Sequence, residues 1–136
     1  MKVTVAVPGI LGAVLGLIWG GVLIFVTWVI YDDGEFTDPH WIAVHTGLVI
    51  SGSVLGSLGV IALLLKRIRL SAFLLLSAAF LVLGAIAPGY AFAWTGFSGF
   101  GTTFFGIFIL LPSLLLSALL LTSGLLLLRG ALSPLP

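Results

Sequence analysis

No cysteine occurs among the 136 residues, and five Lys or Arg with four Asp or Glu supply all of the formal charge. The first absence excludes a disulfide framework, a thiol nucleophile and a thiolate metal site. The second excludes an ordinary soluble domain, because charged residues make up 7% of the chain against roughly 25% in such domains. No basic stripe with interleaved aromatics is present, which argues against nucleic acid as a partner. A phosphate-binding Gly-rich loop and a nucleophile–base–acid set are also missing, so the chain reads as non-catalytic. What is present is apolar side chain, 61% of the total. A chain of this length has too little interior to hide that much Leu, Val, Ile and Phe from water. Lipid is the solvent that resolves the conflict.

The apolar residues fall into four runs, roughly 5–30, 41–65, 70–87 and 103–128. Each is close to the ~20 residues that a helix needs to cross about 30 Å of hydrocarbon at 1.5 Å per residue. A helix satisfies its own backbone hydrogen bonds in lipid. The continuous Leu runs lack the alternation of a membrane β-barrel. The first run exceeds the 7–15 residues of a typical signal-peptide core and reads as a retained anchor. The expected fold is therefore all-α, a single transmembrane domain over 1–136 forming a four-helix bundle. An acidic loop, 31–40, joins the first and second runs, and an aromatic, Gly-rich loop, 88–102, joins the third and fourth.

The few charges alternate in sign along the chain. Lys2, the turn Lys66, Arg67 and Arg69, and Arg129 fall on one side, while Asp32, Asp33, Glu35 and Asp38 fall on the other. By the bias of Lys and Arg toward cytoplasmic loops, both termini are expected inside the cell, in the inner or plasma membrane. Trp28, Tyr31, Trp41, Tyr90 and Trp94 then lie near the outer interface, where amphipathic rings settle.

Helices in lipid pack through small residues that let backbones approach. At 100° per residue, Gly9, Gly12, Gly16 and Gly20 line one stripe of the first helix, and Gly52, Gly56 and Gly59 one stripe of the second. On the third, Ser77, Gly84 and Pro88 share a face with Ala78 and Ala85 nearby; on the fourth, Thr102, Gly106, Ser113, Ser117 and Gly124 do so. Four such faces can satisfy one another, and the first helix, with a Gly at nearly every turn, has small residues to spare for a partner. Pro112 removes a backbone donor and should kink the fourth helix near Phe108.

His45 is the one ionisable side chain expected inside a membrane helix, on the same face as Val49, Gly52, Gly56 and Gly59. Such a residue is a functional candidate by default, as a proton relay, a pH sensor or an axial ligand to haem or chlorin. The plainer role is a neutral ring hydrogen-bonded to a neighbouring helix. A bis-His haem site would need a second ligand, and His40 lies only five residues away in the expected loop. Asp32, Asp33, Glu35, Asp38 and His40 are candidate oxygen and nitrogen ligands for a hard cation, although their spacing does not match a calcium loop. The plainer reading is a solvated acidic loop, with no cofactor.

Two segments, GSVLGSLGVIALLLKRIRL and GIFILLPSLLLSALLLTSGLLLL, resemble small prokaryotic four-transmembrane-helix proteins of unknown function. In those a Gly-rich second helix precedes a short Lys/Arg turn and the last helix carries Leu-Pro-Gly; Ser113 replaces that Gly here. The resemblance covers about half of the chain and implies a tetraspan fold without functional residues. The stretch from Gly96 to Phe108 is also similar to a segment of small dual-topology fluoride channels, which would point to Thr102, Thr103, Phe104 and Phe108 as ion-path residues. That segment opens the last helix here, the first helix has no Arg, and the charges are segregated rather than balanced. The expected function is a structural or accessory subunit of a membrane complex, or a homo-oligomer, whose partners are the bilayer and other membrane helices. The alternatives are an oligomeric channel or transporter component and a haem- or pigment-binding subunit through His45.

Overall fold

A computed structural model describes residues 3–34, 39–96 and 100–132, and the side chains of 6–34, 39–95 and 103–130. Among the described residues five helices follow one another: α1 (Val3–Asp33), α2 (His40–Leu64), α3 (Ile68–Gly84), α4 (Ile86–Gly96) and α5 (Phe100–Leu132). Helices α3 and α4 together make one apolar span, Ile68–Thr95, so four stretches are long and apolar enough to cross a membrane. The described residues form an all-helical structure whose spans fit a multi-pass membrane protein in length and composition.

Two helix boundaries depart from expectation. The acidic pair Asp32 and Asp33 lies in the last turn of α1 rather than in a loop. Most of the expected loop 88–102 is helix, because Pro88 does not end the third span but sits in the first turn of α4. A proline there lacks only an N–H that a first turn leaves unpaired anyway. It does deprive Gly84 of its donor, and the helical bonding is interrupted at Ala85, whose backbone keeps right-handed helical angles. Helical bonding resumes at once, with Gly89 N–H donating to Ala85 O at 3.1 Å. Helix α5 continues through Pro112.

The turn between α2 and α3 is closed by backbone alone. Lys66 N–H donates to Leu63 O at 3.0 Å and Arg67 N–H to Ala62 O at 2.9 Å, the paired bonds of a Schellman cap. Lys66 occupies the left-handed position at φ 61°, where glycine is usual; for a side-chain residue this costs about 1 kcal/mol.

Close approaches fix the arrangement. A Cβ built at Gly16 would lie 2.5 Å from Ser53 Oγ, one at Gly9 2.7 Å from Ser123 Oγ, and one at Gly12 3.0 Å from Leu120 Cδ2. The stripe on α1 thus faces α2 and α5, and Gly20 meets Ile50 at 3.3 Å. All four glycines are used inside the bundle, so the surplus expected on this helix is not there. Gly52 lies against Val82 and Ala78 of α3, Gly56 against Leu120, and Gly59 against Leu75. Around the bundle the order is α1, α2, the α3–α4 pair and α5, with neighbours antiparallel. Arg129, Lys66, Arg67 and Arg69 therefore gather at one end, and Asp32 and Asp33 at the other.

On α3 the inward face is Ala72, Leu75, Ala78, Ala79 and Val82. Of the expected face, Ser77 is only half-buried and Gly84 opens outward, while Pro88 and the nearby Ala78 and Ala85 are buried. On α5, Ser113 and Ser117 are buried, and Gly124 packs on Leu76. Hydroxyls tie the helices: Thr27 Oγ1 and Thr46 Oγ1 share a hydrogen at 2.8 Å, and Ser71 donates across to Gly59 O at 2.7 Å.

Trp19 lies within this core, 7% exposed, with its ring edge-on to Phe108 at 5.7 Å. Its indole N–H is buried without a hydrogen-bond acceptor among the described residues. An orphaned donor contributes nothing but its desolvation cost. Trp19→Phe should therefore leave stability within ~1 kcal/mol of wild type, whereas Trp19→Ala should lose about 3–5 kcal/mol to the cavity. Unfolding midpoints in an SDS titration measure both.

Candidate functional site

His45 sits on the buried face of α2 opposite the break between α3 and α4. Its residue is 0% exposed. Nδ1 is 2.5 Å from Ala85 O, and Nε2 is 3.3 Å from Ser113 Oγ of α5. A carbonyl oxygen only accepts, so Nδ1 carries the hydrogen and donates to Ala85. In the neutral ring Nε2 is then the acceptor for the Ser113 hydroxyl. Ser113 Oγ also lies 3.3 Å from Ile109 O, which gives its hydrogen a second acceptor.

The break is what admits the ring. Gly89 lies so close that a Cβ there would fall 2.7 Å from His45 Nδ1 and 3.0 Å from Leu110 Cδ2. Pro88 and Gly89 together supply an interrupted helix with no side chain at the point of contact. His45 thus joins three spans: α2, which bears it; the α3–α4 junction; and α5. Both ring nitrogens are turned to protein partners, so this arrangement presents no free nitrogen to a haem or chlorin metal. A buried polar group with both ends satisfied holds its neighbours in one register.

Of the other candidate ligands, those among the described residues, His40, Asp32 and Asp33, do not converge on it. His40 begins α2 on the exposed surface, its ring 4.9 Å from that of Trp41. Asp32 and Asp33 are exposed at the end of α1. Glu35 and Asp38 lie outside the described residues, as does the side chain of Thr102. No group of three or more His, Asp or Glu close enough to hold a metal ion occurs among the described residues.

Side grooves open on the outer surface of the bundle. One, about 440 Å³, lies between α4 and α5 and is lined by Tyr90, Trp94 and Leu110 among others, without a charged side chain. The second, about 400 Å³, runs between α1 and α5 over Phe92 of α4, and Asp33 stands in its wall. Sequence reasoning found His45 and the acidic residues but neither groove, nor the buried Trp19. Trp19 had a signal: it lies three residues after Gly16, on the Gly stripe, while the remaining three tryptophans lie near the ends of spans.

The fold and site define a class, the multi-pass helical membrane proteins whose intramembrane polar residues bond to one another. No family model matches the chain, and no curated protein or solved structure is similar to it.

Proposed function

We propose that this is a non-catalytic integral membrane protein that acts by helix association in the bilayer, as an accessory subunit of a membrane complex or as a homo-oligomer. The observation that carries the reading is the outer face of α2. Val44, Gly47, Ser51, Val54, Leu58 and Ile61 recur at intervals of three and four residues and all are exposed. A Cβ at Gly47 meets nothing within 4 Å. A Gly and a Ser four residues apart allow another helix to approach closely, and the Ser hydroxyl gives it a hydrogen-bonding partner. The positively charged end of the bundle, with Lys66, Arg67, Arg69 and Arg129, supports a cytoplasmic location for both termini in the cell membrane.

The test is native mass spectrometry of protein purified in mild detergent. The expected mass is that of an oligomer or of a complex with a second membrane protein, reduced to the monomer by Gly47→Leu with Ser51→Leu. Both positions face open space, so the pair leaves the fold intact. A monodisperse monomer without co-purifying protein overturns the reading.

A further inference from the structure

The groove between α1 and α5 combines two properties, an apolar floor that is open to the side and a carboxylate at one end. Its floor is buried apolar side chain, Ile30, Phe92 and Ile109, and its rims, Phe25, Val29 and Phe108, are exposed. It therefore opens sideways, toward lipid. At about 400 Å³ it is in the range of roughly 300–1,000 Å³ typical of ligand sites. From Phe25 to Asp33 it follows α1 for about 12 Å at 1.5 Å per residue. One leaflet of hydrocarbon is ~15 Å deep, and Asp33 closes an apolar span. The groove thus runs from the head-group level through most of a leaflet, the course of a single acyl chain.

The charge at its upper end selects the head group. The last turn of α1 has no basic residue and carries Asp32 and Asp33, both exposed. Carboxylates are unfavourable at a helix C-terminus, where the unpaired carbonyls already place negative partial charge, and a cation is favoured. Every Lys and Arg among the described residues lies at the opposite end of the bundle. An anionic head group is repelled here. A primary ammonium is attracted and donates charge-assisted hydrogen bonds to a carboxylate, which a quaternary ammonium cannot do.

We propose that the α1–α5 groove holds one acyl chain of a phospholipid with a primary-amine head group, whose ammonium pairs with the Asp33 carboxylate. The site is separate from the outer face of α2 and stands or falls independently of the association reading.

The experiment is native mass spectrometry of delipidated protein titrated with phosphatidylethanolamine, phosphatidylcholine and phosphatidylglycerol of identical acyl chains. Phosphatidylethanolamine should be retained at least fivefold more than phosphatidylglycerol and more than phosphatidylcholine. Asp33→Asn should remove that preference, and Asp32→Asn, which does not line the groove, should change it less than twofold. Val29→Trp, which fills the groove from an exposed position, should reduce retention of ethanolamine lipid to background. Circular dichroism establishes that each variant keeps its helix content. Equal retention of the three lipids, or an unchanged preference in Asp33→Asn, overturns the proposal. So does a dimer that Val29→Trp dissociates without any preference among lipids, since the groove is then the seat of a second copy.

Discussion

Gly52→Leu is expected to destabilise the bundle by about 3 kcal/mol, while Gly21→Leu, in the same kind of membrane helix, should cost nothing measurable. A Cβ at Gly52 would fall 2.6 Å from Val82 Cγ2 and 3.0 Å from Ala78 O. Val82 is fully buried and branched at Cβ, so it has no alternative rotamer to adopt. Ala78 O is backbone and moves only if α3 moves. Overpacking of this sort costs typically 1–3 kcal/mol and more when helices must separate. The gain from replacing Gly in a helix is at most ~1 kcal/mol, so the clash decides the sign. At Gly21 a Cβ meets nothing within 4 Å, and only the favourable term remains. Gly20 is intermediate, because its one close contact, Ile50 Cγ1, is at 3.3 Å and Ile50 is only half-buried. The midpoints of SDS-driven unfolding should rank Gly52→Leu below Gly20→Leu and that below Gly21→Leu. A Gly52→Leu protein as stable as Gly21→Leu would mean that α2 and α3 do not approach at this point.

Where a single helix carries the whole signal, the sequence was readable. The lengths of the first, second and fourth spans follow from apolar run length, and the inward direction of Gly12, Gly16, Gly20, Gly52, Gly56 and Gly59 follows from helical periodicity. Local rules fail where two outcomes satisfy them equally. Pro88 obeys the same chemistry whether a helix stops before it or starts just upstream of it; only the packing of α4 against α2 and α5 selects the restart. The face of α3 is only partly legible for a similar reason. Ser77 and Gly84 are small, but so are Ala78, Ala79 and Ala85, and size alone does not tell which side meets protein. His45 was identifiable as an inward residue, yet its partner Ala85 is 40 positions away. That pairing depends on the order of helices around the bundle, which no single-helix pattern contains. The α1–α5 groove is hidden for the same reason, since it is made by the gap between helices that are distant in sequence.

His45→Ala is expected to lose about 3–4 kcal/mol, and a set of neighbouring variants separates packing from hydrogen bonding. The imidazole is among the largest fully buried side chains, and truncating such a group to Ala costs roughly 2–5 kcal/mol through lost transfer energy and a cavity. Its hydrogen bonds contribute less, about 1 kcal/mol each, because neither partner is stranded without it. Ala85 O keeps the Gly89 N–H at 3.1 Å, and Ser113 Oγ keeps Ile109 O at 3.3 Å. His45→Leu, which preserves most of the volume, should accordingly cost only about 1–2 kcal/mol. Ser113→Ala acts differently: it leaves Nε2 as a buried acceptor with no donor, a penalty of roughly 1–3 kcal/mol. In the double variant His45→Leu with Ser113→Ala that orphan no longer exists. The double variant should therefore be more stable than the sum of the two single losses predicts, by about 1 kcal/mol, as expected for groups in direct contact. Additive losses would show that Ser113 does not serve Nε2. The same proteins, reconstituted in liposomes, distinguish a lock from a proton path. A residue that joins three spans changes unfolding midpoints in this graded order and leaves proton flux alone, whereas a relay loses flux equally in His45→Leu and His45→Ala whatever their stabilities.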